Sequence, residues 1–549
     1  MGRFRARAAC TAVVIAGGLA LTLRGQVVDE SRLQILQNVG LTAVDEGVIA
    51  DQSHLSGSPG SVRRAAFHPT LEQTAAVTAV PRYRPGRVLV RFRDEISMAE
   101  RRTAVRSASG TAEIGARPSY ADFDVVQLDP SEDAEGAARL LSQRPEVQYA
   151  QVAHHVRPNL VPNDPLYSTL QWNLPMLNLE KAWDIQPAAG STITVAVIDT
   201  GMAYQNATIT ATIPAFRDDQ GVRYPALGPV TIPYSAAPQL VTAANAGRIV
   251  MPFDFVTNGA KPPLDFDGHG THVSGTIGQL TNDGIGTAGV AFNVKLMPLK
   301  ALASDWDVLF GNSTDVGGFD DDIARALHYA ADNGAKIINM SLGSSGPANC
   351  ATNANQPECS PVIEAAMRYA VGKGCFITVA GGNEYEDSVP PFGTNPTSIL
   401  AEIASRVPGV VSVAAVNRGK DHAFYSSTGT YIELSAPGGD VRGFGLGGAI
   451  YQQTFDPNFT DTFLLPPAQY HAPRFDVMGF IPYQGTSMAA PHVAGVAAML
   501  MQQGVTDPAV IEQILENTAV DLGAAGRDNT FGFGLVDARA ALRGLGLAK

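Results

Sequence analysis

The sequence has 549 residues, more than a single ordinary core accommodates, so we expect two or more domains. Hydrophobic residues make up 45% and charged residues 17%, which is typical of a globular chain rather than a disordered one. The formal net charge is −13, and its acidic excess lies in residues 160–549. This charge argues against nucleic acid as a partner, because phosphate binding needs clustered Lys and Arg. The acidic residues supply carboxylates that could bind calcium. Their charge could equally well serve only to keep the protein soluble.

Residues 1–26 predict an export signal. Three early arginines precede an apolar run at 8–23, which is shorter than the ~20 residues of a comfortable membrane span. No clear Ala-x-Ala site follows, so the cleavage position stays open, and so does an uncleaved anchor. We expect a secreted protein, extracellular or periplasmic. Residues 27–80 show no strong periodicity and predict a weakly structured leader.

Residues 81–159 predict a small α+β domain. Apolar alternation marks its strands and a 3.6-residue period marks its helices. The strands are expected at 86–93, 111–116, 122–128 and 147–156, and the helices at 97–107 and 131–143. The resulting order, β-α-β-β-α-β, is the ferredoxin-like pattern.

Residues 160–549 alternate strand and helix patterns. Strands are expected at 192–198, 294–300, 335–340, 375–380 and 410–416, and helices at 320–333, 361–372 and 487–503. Such alternation predicts an α/β fold in three layers, with a mostly parallel sheet between two layers of helices. Ligand sites in such folds lie at the carboxyl ends of the strands.

Two polar segments follow or precede apolar runs in this region. Asp199 ends a buried strand pattern, where it could orient a histidine or simply form a turn. Gly268 and Gly270 leave His269 uncrowded, so another group can approach its ring. His269 and His272 could also share a metal ion, but no third ligand has a suitable spacing.

A third segment begins a helix at Ser487. Unpaired N–H groups at a helix start point at developing negative charge, so a serine there could act as a nucleophile with a stabilised oxyanion. It could equally be an ordinary N-cap. The combination is more specific than any part, because Asp, His and Ser in this chain order follow the subtilisin arrangement.

The segments IDTG, DGHGTHVSGTI and GTSMAAPHVAG together resemble the subtilisin-like serine protease family, peptidase family S8. The resemblance runs over roughly residues 164–540 and is interrupted by insertions at 203–250 and 440–482. It implies that Asp199, His269 and Ser487 form a catalytic triad. It also implies that Asn383, in the segment GGNE, donates a hydrogen bond to the oxyanion.

The resemblance further implies how the protein binds its substrate and controls itself. Two main-chain segments would pair with the substrate backbone, and their residues are Gly317, Gly318, Ser341, Leu342 and Gly343. Residues 81–159 resemble the family's inhibitory propeptide, which implies a self-processing zymogen cut near residues 157–163. We therefore expect a monomeric hydrolase whose partners are protein or peptide substrates and its own propeptide.

Calcium is the cofactor that the resemblance implies. Asp164, in the segment NDP, and Asp283, in the segment TNDGIGT, resemble ligands of the family's calcium sites. The family supplies a further Asp after the catalytic Asp segment, and the insertion at 203–250 leaves no residue that aligns with it.

The cysteines predict one disulfide. Cys350 and Cys359 flank a short polar loop, and an exported protein could pair them. Cys375 lies in an apolar run and is expected to be a buried free thiol, whereas Cys10 falls in the signal segment.

The expected function is secreted serine endopeptidase, hydrolysing peptide bonds in proteins. An esterase with the same triad is a second hypothesis, but the Gly-x-Ser-x-Gly elbow is absent at Ser487 and the chain order differs from that of esterases. An inactive scaffold is a third hypothesis, although every catalytic position is intact.

Overall fold

The structure, a computed structural model, describes residues 83–115, 117, 121–154, 160–218, 220–346, 359–385 and 395–544. The predicted signal segment and leader lie outside these ranges. No helix in the described ranges is long and apolar enough to cross a membrane. The described residues fall into two compact units, which meet in the chain between residues 158 and 159.

The smaller unit has the predicted β-α-β-β-α-β order. Its elements are β1 (Tyr83–Phe92), α1 (Met98–Ala108), β2 (Glu113–Ile114), β3 (Asp124–Gln127), α2 (Ala134–Ser142) and β4 (Val147–His154). The strands form one antiparallel sheet in the order β2-β3-β1-β4. The predicted N-cap of α1 is a full capping box, because Ser97 accepts from the Glu100 N–H while the Glu100 carboxylate accepts from the Ser97 N–H.

The larger unit contains the remaining strands and helices. Its strands are β5 (Thr194–Asp199), β6 (Ala207–Ile213), β7 (Phe216–Arg217), β8 (Arg223–Tyr224), β9 (Leu227–Tyr234), β10 (Phe253–Asp254), β11 (Lys295–Lys300), β12 (Ile337–Met340), β13 (Ser345–Gly346), β14 (Phe376–Ala380), β15 (Thr397–Ser398), β16 (Val410–Val416), β17 (Leu434–Pro437), β18 (Ile450–Phe455) and β19 (Met478–Tyr483). Its helices are α3 (Tyr167–Leu170), α4 (Asn173–Met176), α5 (Leu179–Ile185), α6 (His269–Gly278), α7 (Asp305–Leu309), α8 (Asp320–Asp332), α9 (Pro361–Gly372), α10 (Ile399–Ala404), α11 (Val441–Phe444), α12 (Pro457–Thr460), α13 (Thr486–Gln502), α14 (Pro508–Thr518) and α15 (Ala538–Gly544).

Seven parallel strands form the central sheet, in the order β10-β11-β5-β12-β14-β16-β17. Successive side chains of β5 enter two different cores. Val195 and Val197 pack with α6 and α13 on one face, whereas Ala196 and Ile198 pack with α8 and α9 on the other. The predicted three-layer α/β sandwich is therefore confirmed.

The two insertions form hairpins that the sequence analysis did not assign. Within 203–250, β6 pairs with β9 in antiparallel fashion, and within 440–482, β18 pairs with β19. The insertions also contact each other, because Tyr234 of β9 forms a bridge with Phe475. Alternation in the segment ATITATI is the sequence signal that could have identified β6.

The first insertion ends in a buried cation, Arg248. Its guanidinium donates to the carbonyls of Leu240, Gly278, Phe292 and Val294. Burial lowers the pKa of Arg248 to about 10. Because Gly278 is the last residue of α6, this cation lies where the helix dipole is negative.

Candidate active site

The carboxyl ends of three neighbouring strands bring the candidate residues to one edge of the sheet. Asp199 is the last residue of β5, Ser341 follows β12, and Asn383 comes three residues after β14. These strands are parallel and adjacent in the sheet, so their ends meet at the same edge. Helix α6 begins with His269, and Ser487 is the second residue of α13.

The structure joins Asp199 and His269 directly. The distance between His269 Nδ1 and Asp199 Oδ1 is 2.7 Å, and the side chains are 8% and 0% exposed. The same carboxylate oxygen accepts from the Thr200 N–H at 2.8 Å. A carboxylate on Nδ1 keeps the proton there and leaves the lone pair on Nε2. Among the described residues, His269 Nε2 has no hydrogen-bond partner.

The charges around His269 control its basicity. Burial lowers the pKa of the imidazole, but the carboxylates of Asp199, Asp267 and Asp265 together outweigh burial and raise it to about 9. His272 behaves in the opposite way, since burial and the charge of His269 lower its pKa to about 3. Its Nε2 lies 3.1 Å from two carbonyl oxygens of the β18–β19 hairpin, so His272 is a neutral hydrogen-bond donor.

Ser487 and Ser341 exchange two hydrogen bonds. The Ser487 hydroxyl donates to the Ser341 carbonyl at 3.3 Å, and the Ser341 hydroxyl donates to the Ser487 carbonyl at 2.7 Å. Ser487 is 3% exposed. In this state the Ser487 hydroxyl is therefore directed at Ser341 rather than at His269.

Two nitrogen donors, Asn383 Nδ2 and the Ser487 main-chain N–H, both lie close to Gly485. Asn383 Oδ1 accepts from the Thr486 N–H at 2.8 Å and from the Thr486 hydroxyl at 2.9 Å, which fixes the orientation of the amide. A Cβ on Gly485 would stand 3.6 Å from both Asn383 Nδ2 and the Ser487 nitrogen. Gly485 has φ +152°, a conformation that residues with a side chain rarely adopt, so the position suits glycine.

The predicted substrate-binding segments lie at the same edge. Ser341, Leu342 and Gly343 directly follow β12, with Leu342 only 7% exposed. Gly317 uses both its N–H and its carbonyl in hydrogen bonds to Ala303, at 2.8 and 2.7 Å.

Comparison with known proteins matches two family models to the chain. The model described as the subtilase family matches residues 190–534, and the model of the fervidolysin N-terminal prodomain matches residues 70–152. The chain belongs to the subtilase family. It is accordingly a subtilisin-like serine protease, a hydrolase, with a prodomain at its N-terminal side.

The chain is similar in sequence to several bacterial proteases. The thermophilic serine proteinase of Bacillus sp. (strain AK1) is 28% identical over 81% of this chain and 84% of that protein. The extracellular protease of Xanthomonas campestris pv. campestris is 31% identical over 76% of this chain and 62% of that protein. A solved protease structure from Pseudoalteromonas arctica is 28% identical, covers 70% of this chain and 100% of its own, and gives a TM-score of 0.49.

The candidate calcium ligands of this subtilase lie close together. Asp164 is buried and accepts from the N–H groups of Asn282 and Asp283, at 2.7 and 3.2 Å. Burial and the neighbouring Asp283 carboxylate raise the pKa of Asp164. Gln239, from the first insertion, donates through Nε2 to Asp283 Oδ2 at 3.1 Å. Its Oε1 is buried and has no hydrogen-bond partner among the described residues.

The cysteines are described in part. Cys359 is disulfide-bonded. Cys350 lies outside the described residues, so its pairing with Cys359 stays a prediction. Cys375 is a buried free thiol, as the sequence predicts, and burial raises its pKa to about 11.

Two buried ionic residues next to the site were missed by the sequence analysis. Asp265 is 0% exposed, and its carboxylate accepts from the Thr200 hydroxyl at 2.9 Å. Lys300 pairs in register with Asp199 and donates to the Thr200 carbonyl and the Asp307 carboxylate, at 2.7 and 2.8 Å. A charge inside an apolar pattern was the available signal, since Lys300 ends the run VKLMPLK and Asp265 follows Leu264 in the segment LDFD.

We expect the pH dependence of proteolysis to follow His269. The imidazole must be neutral to accept a proton, so kcat/KM should rise with pH and reach half of its plateau at about pH 9. The raised pKa also means that the protonated His269–Asp199 pair stabilises the fold below the unfolded value of about 6.5, and that this contribution is lost as the pH rises through 9.

A pH–rate profile with a small peptide substrate measures this rise of kcat/KM with pH, the acid limb of the profile. NMR titration of the imidazole in Ser487→Ala and in Ser487→Ala/Asp199→Asn assigns the limb to His269. The second variant should titrate at lower pH because it lacks the Asp199 charge. A half-plateau at or below pH 6.5 would contradict the prediction.

Proposed function

We propose that the chain is a secreted serine endopeptidase, made as a self-processing zymogen, whose triad is Asp199, His269 and Ser487. The observation that supports this most strongly is the buried 2.7 Å hydrogen bond between Asp199 and His269, with His269 Nε2 left unpartnered among the described residues. An imidazole held in this way can accept a proton from a hydroxyl nucleophile. Ser487, at the start of α13, is the serine that the sequence motif assigns to this role.

Acylation begins when the Ser487 hydroxyl turns from the Ser341 carbonyl toward His269 Nε2. Its oxygen attacks the scissile carbonyl carbon while its proton moves to Nε2, and Asp199 stabilises the imidazolium that results. The negative charge on the former carbonyl oxygen is stabilised by Asn383 Nδ2 and the Ser487 N–H, the two donors that flank Gly485. When the peptide C–N bond breaks, the proton on Nε2 passes to the leaving amine.

Deacylation repeats these steps with water. His269 Nε2 takes a proton from the water molecule whose oxygen attacks the acyl-enzyme ester. The tetrahedral intermediate uses the same two donors, and its collapse returns the proton to Ser487 and releases the carboxylic acid. No step requires a metal-bound group.

The substrate would be an extended segment of protein. Its backbone would add to the edges formed by Gly318 and by residues 341–343, which recognise main-chain groups rather than particular side chains. Main-chain recognition favours broad sequence preference. The match of residues 70–152 to a prodomain supports the zymogen, and the names of relatives as extracellular proteases support secretion.

Replacing Ser487 with Ala should abolish both casein hydrolysis and self-processing, because it removes the hydroxyl that acts as nucleophile in the proposed triad. The wild-type protein should lose its N-terminal unit by a cut near residues 157–163, whereas Ser487→Ala should keep it. Casein digestion and N-terminal sequencing of the purified proteins measure the two effects. Equal casein digestion by both proteins would refute the nucleophile, and active enzyme that began at residue 85 or earlier would refute the processing.

Replacing Asn383 with Leu tests the oxyanion donor separately. Leu has a similar shape and no N–H, so the nucleophile and base remain while one donor is lost. We expect kcat to fall roughly 10²–10³-fold with KM little changed, which is the usual effect of removing one such donor. A parallel rise in KM with an unchanged kcat would instead indicate that Asn383 binds the ground state.

We further propose that a calcium ion binds beside Asp164 and Asp283, with Gln239 as a third side-chain ligand. The two carboxylates lie close together, so a cation would relieve their repulsion. Turning the Gln239 amide over would place Oε1 where Nε2 now stands, 3.1 Å from Asp283 Oδ2. That spacing suits two oxygens that each lie ~2.4 Å from one ion. Calcium would supply stability by fixing the loop at 281–287, with no role in the reaction steps.

The calcium proposal predicts a stability change that is independent of catalysis. In the Ser487→Ala background, millimolar calcium should raise the midpoint of thermal unfolding by several degrees, and Asp283→Asn or Gln239→Leu should remove most of this shift. Asp315→Asn, at an exposed position, is the matched control and should keep the shift. An unfolding midpoint that neither calcium nor a chelator changes in the Ser487→Ala protein would rule out the site.

A further inference from the structure

Tyr234 connects the insertion at 203–250 to the candidate active site. The Tyr234 hydroxyl donates to the Asp265 carbonyl and accepts from the Asp265 N–H, both at 3.0 Å. A single phenol therefore holds both main-chain polar groups of Asp265. Tyr234 is 2% exposed, so these hydrogen bonds are made without competition from solvent.

The Tyr234 ring is held firmly by its surroundings. Its centroid lies 5.8 Å from that of Phe266 and 5.4 Å from that of Phe455, both in edge-on arrangements, and 5.9 Å from that of Phe475. Its main chain is paired with β6 on one side and with Phe475 on the other. Because the ring has no room to swing, its hydroxyl is delivered to a fixed point.

The Asp265 carboxylate gathers donors from the segments that carry Asp199 and His269. It accepts five hydrogen bonds of 2.7–2.9 Å, and their donors are the Thr200 hydroxyl, the N–H groups of Asp267, Gly268 and Thr271, and the Thr271 hydroxyl. The Thr200 hydroxyl in turn accepts from the Gly270 N–H at 2.9 Å. Asp265 thus connects the residue after Asp199 to both neighbours of His269.

The same insertion also holds the far end of α6. Arg248 donates to the Gly278 carbonyl, the last of that helix. Tyr234 acts near the first residue of the helix and Arg248 at its last. The helix that begins with His269 is therefore braced at both ends by residues of one insertion.

We propose that Tyr234 is a positioning residue of this protease: its hydroxyl fixes the main chain of Asp265, and Asp265 sets the placement of His269 against Asp199. The proposal rests on the triad of the proposed function. Tyr234 itself touches neither the substrate nor a reacting atom. Its effect passes through Asp265 and Thr200.

Replacing Tyr234 with Phe removes the hydroxyl and keeps the ring in its aromatic surroundings. The Asp265 main chain then loses two hydrogen bonds, and the contact between Asp199 and His269 loosens. We expect kcat to fall about 5- to 20-fold with KM little changed, a range typical of losing one or two buried hydrogen bonds. The acid limb of kcat/KM should also move to lower pH, because a looser Asp199 raises the His269 pKa less.

Tyr470→Phe is the matched control. Tyr470 lies in the second insertion, packs edge-on against Phe216 and Tyr224, and its buried hydroxyl has no hydrogen-bond partner among the described residues. The substitution makes the same chemical change in the same kind of aromatic surroundings. It should leave kcat, KM and the acid limb as in the wild type.

A second variant tests the hydrogen bonds that join Asp265 to Thr200 and Gly270. Thr200→Val keeps the side-chain shape and removes the link between Asp265 and Gly270, without disturbing the aromatic residues. It should reproduce the fall in kcat and the shift of the acid limb. This variant decides the question if Tyr234→Phe fails to fold.

The outcomes separate this inference from the proposed function. Activity in Ser487→Ala would overturn the triad itself. An inactive Ser487→Ala protein, together with wild-type kcat and acid limb in folded Tyr234→Phe, would overturn only the positioning role, even if the thermal midpoint fell. If Tyr234→Phe does not fold, wild-type kinetics in Thr200→Val would overturn it.

Discussion

The site depends on an ionised carboxylate that is buried beside an imidazole. Asp199 is 0% exposed, and removing a carboxylate from water is costly unless partners replace the lost hydration. One of its oxygens receives the His269 ring and the Thr200 N–H, while the other has no partner among the described residues. The charge and hydrogen bond of Asp199, together with the charges of Asp267 and Asp265, favour the protonated imidazole, which is why the His269 pKa rises despite burial. The same charges favour His269 as an acceptor of a proton during a reaction.

A buried carboxylate with one unpaired oxygen holds its place only if the surrounding chain is rigid. The neighbouring charges supply that rigidity. Lys300 ties the Thr200 and Leu264 carbonyls to Asp307, and Asp265 ties the start of α6 to Thr200. Each of these charges is satisfied by several hydrogen bonds, so their burial stabilises a single arrangement of loops rather than many. The strand ends are thereby held together around the Asp199–His269 pair.

The sequence allowed prediction of the elements whose pattern is local. Apolar runs gave β16 and α9 at their observed bounds, and the capping box gave the start of α1. Strand patterns also placed Asp199 at the carboxyl end of a strand, whereas Asn383 was predicted from the family resemblance alone. The predicted strand at 111–116 is described only at 113–114, because a two-residue pairing depends on its partner strand β3 rather than on its own pattern. Tyr234 and Gln239 could not be predicted, since their roles come from contacts with residues far away in the chain.

The insertion at 203–250 connects features that are separate in the sequence. Tyr234 holds the segment before α6, and Arg248 holds the end of α6. Gln239 contacts the loop that follows α6 in two ways. Its side chain donates to Asp283, and its carbonyl accepts from the Leu280 N–H at 2.8 Å. A cation bound beside Asp283 would therefore contact the same insertion that braces α6. Gln239 and Tyr234 are five positions apart in this insertion and both are buried. The insertion thus contacts both the candidate calcium ligand Asp283 and the segment that precedes His269.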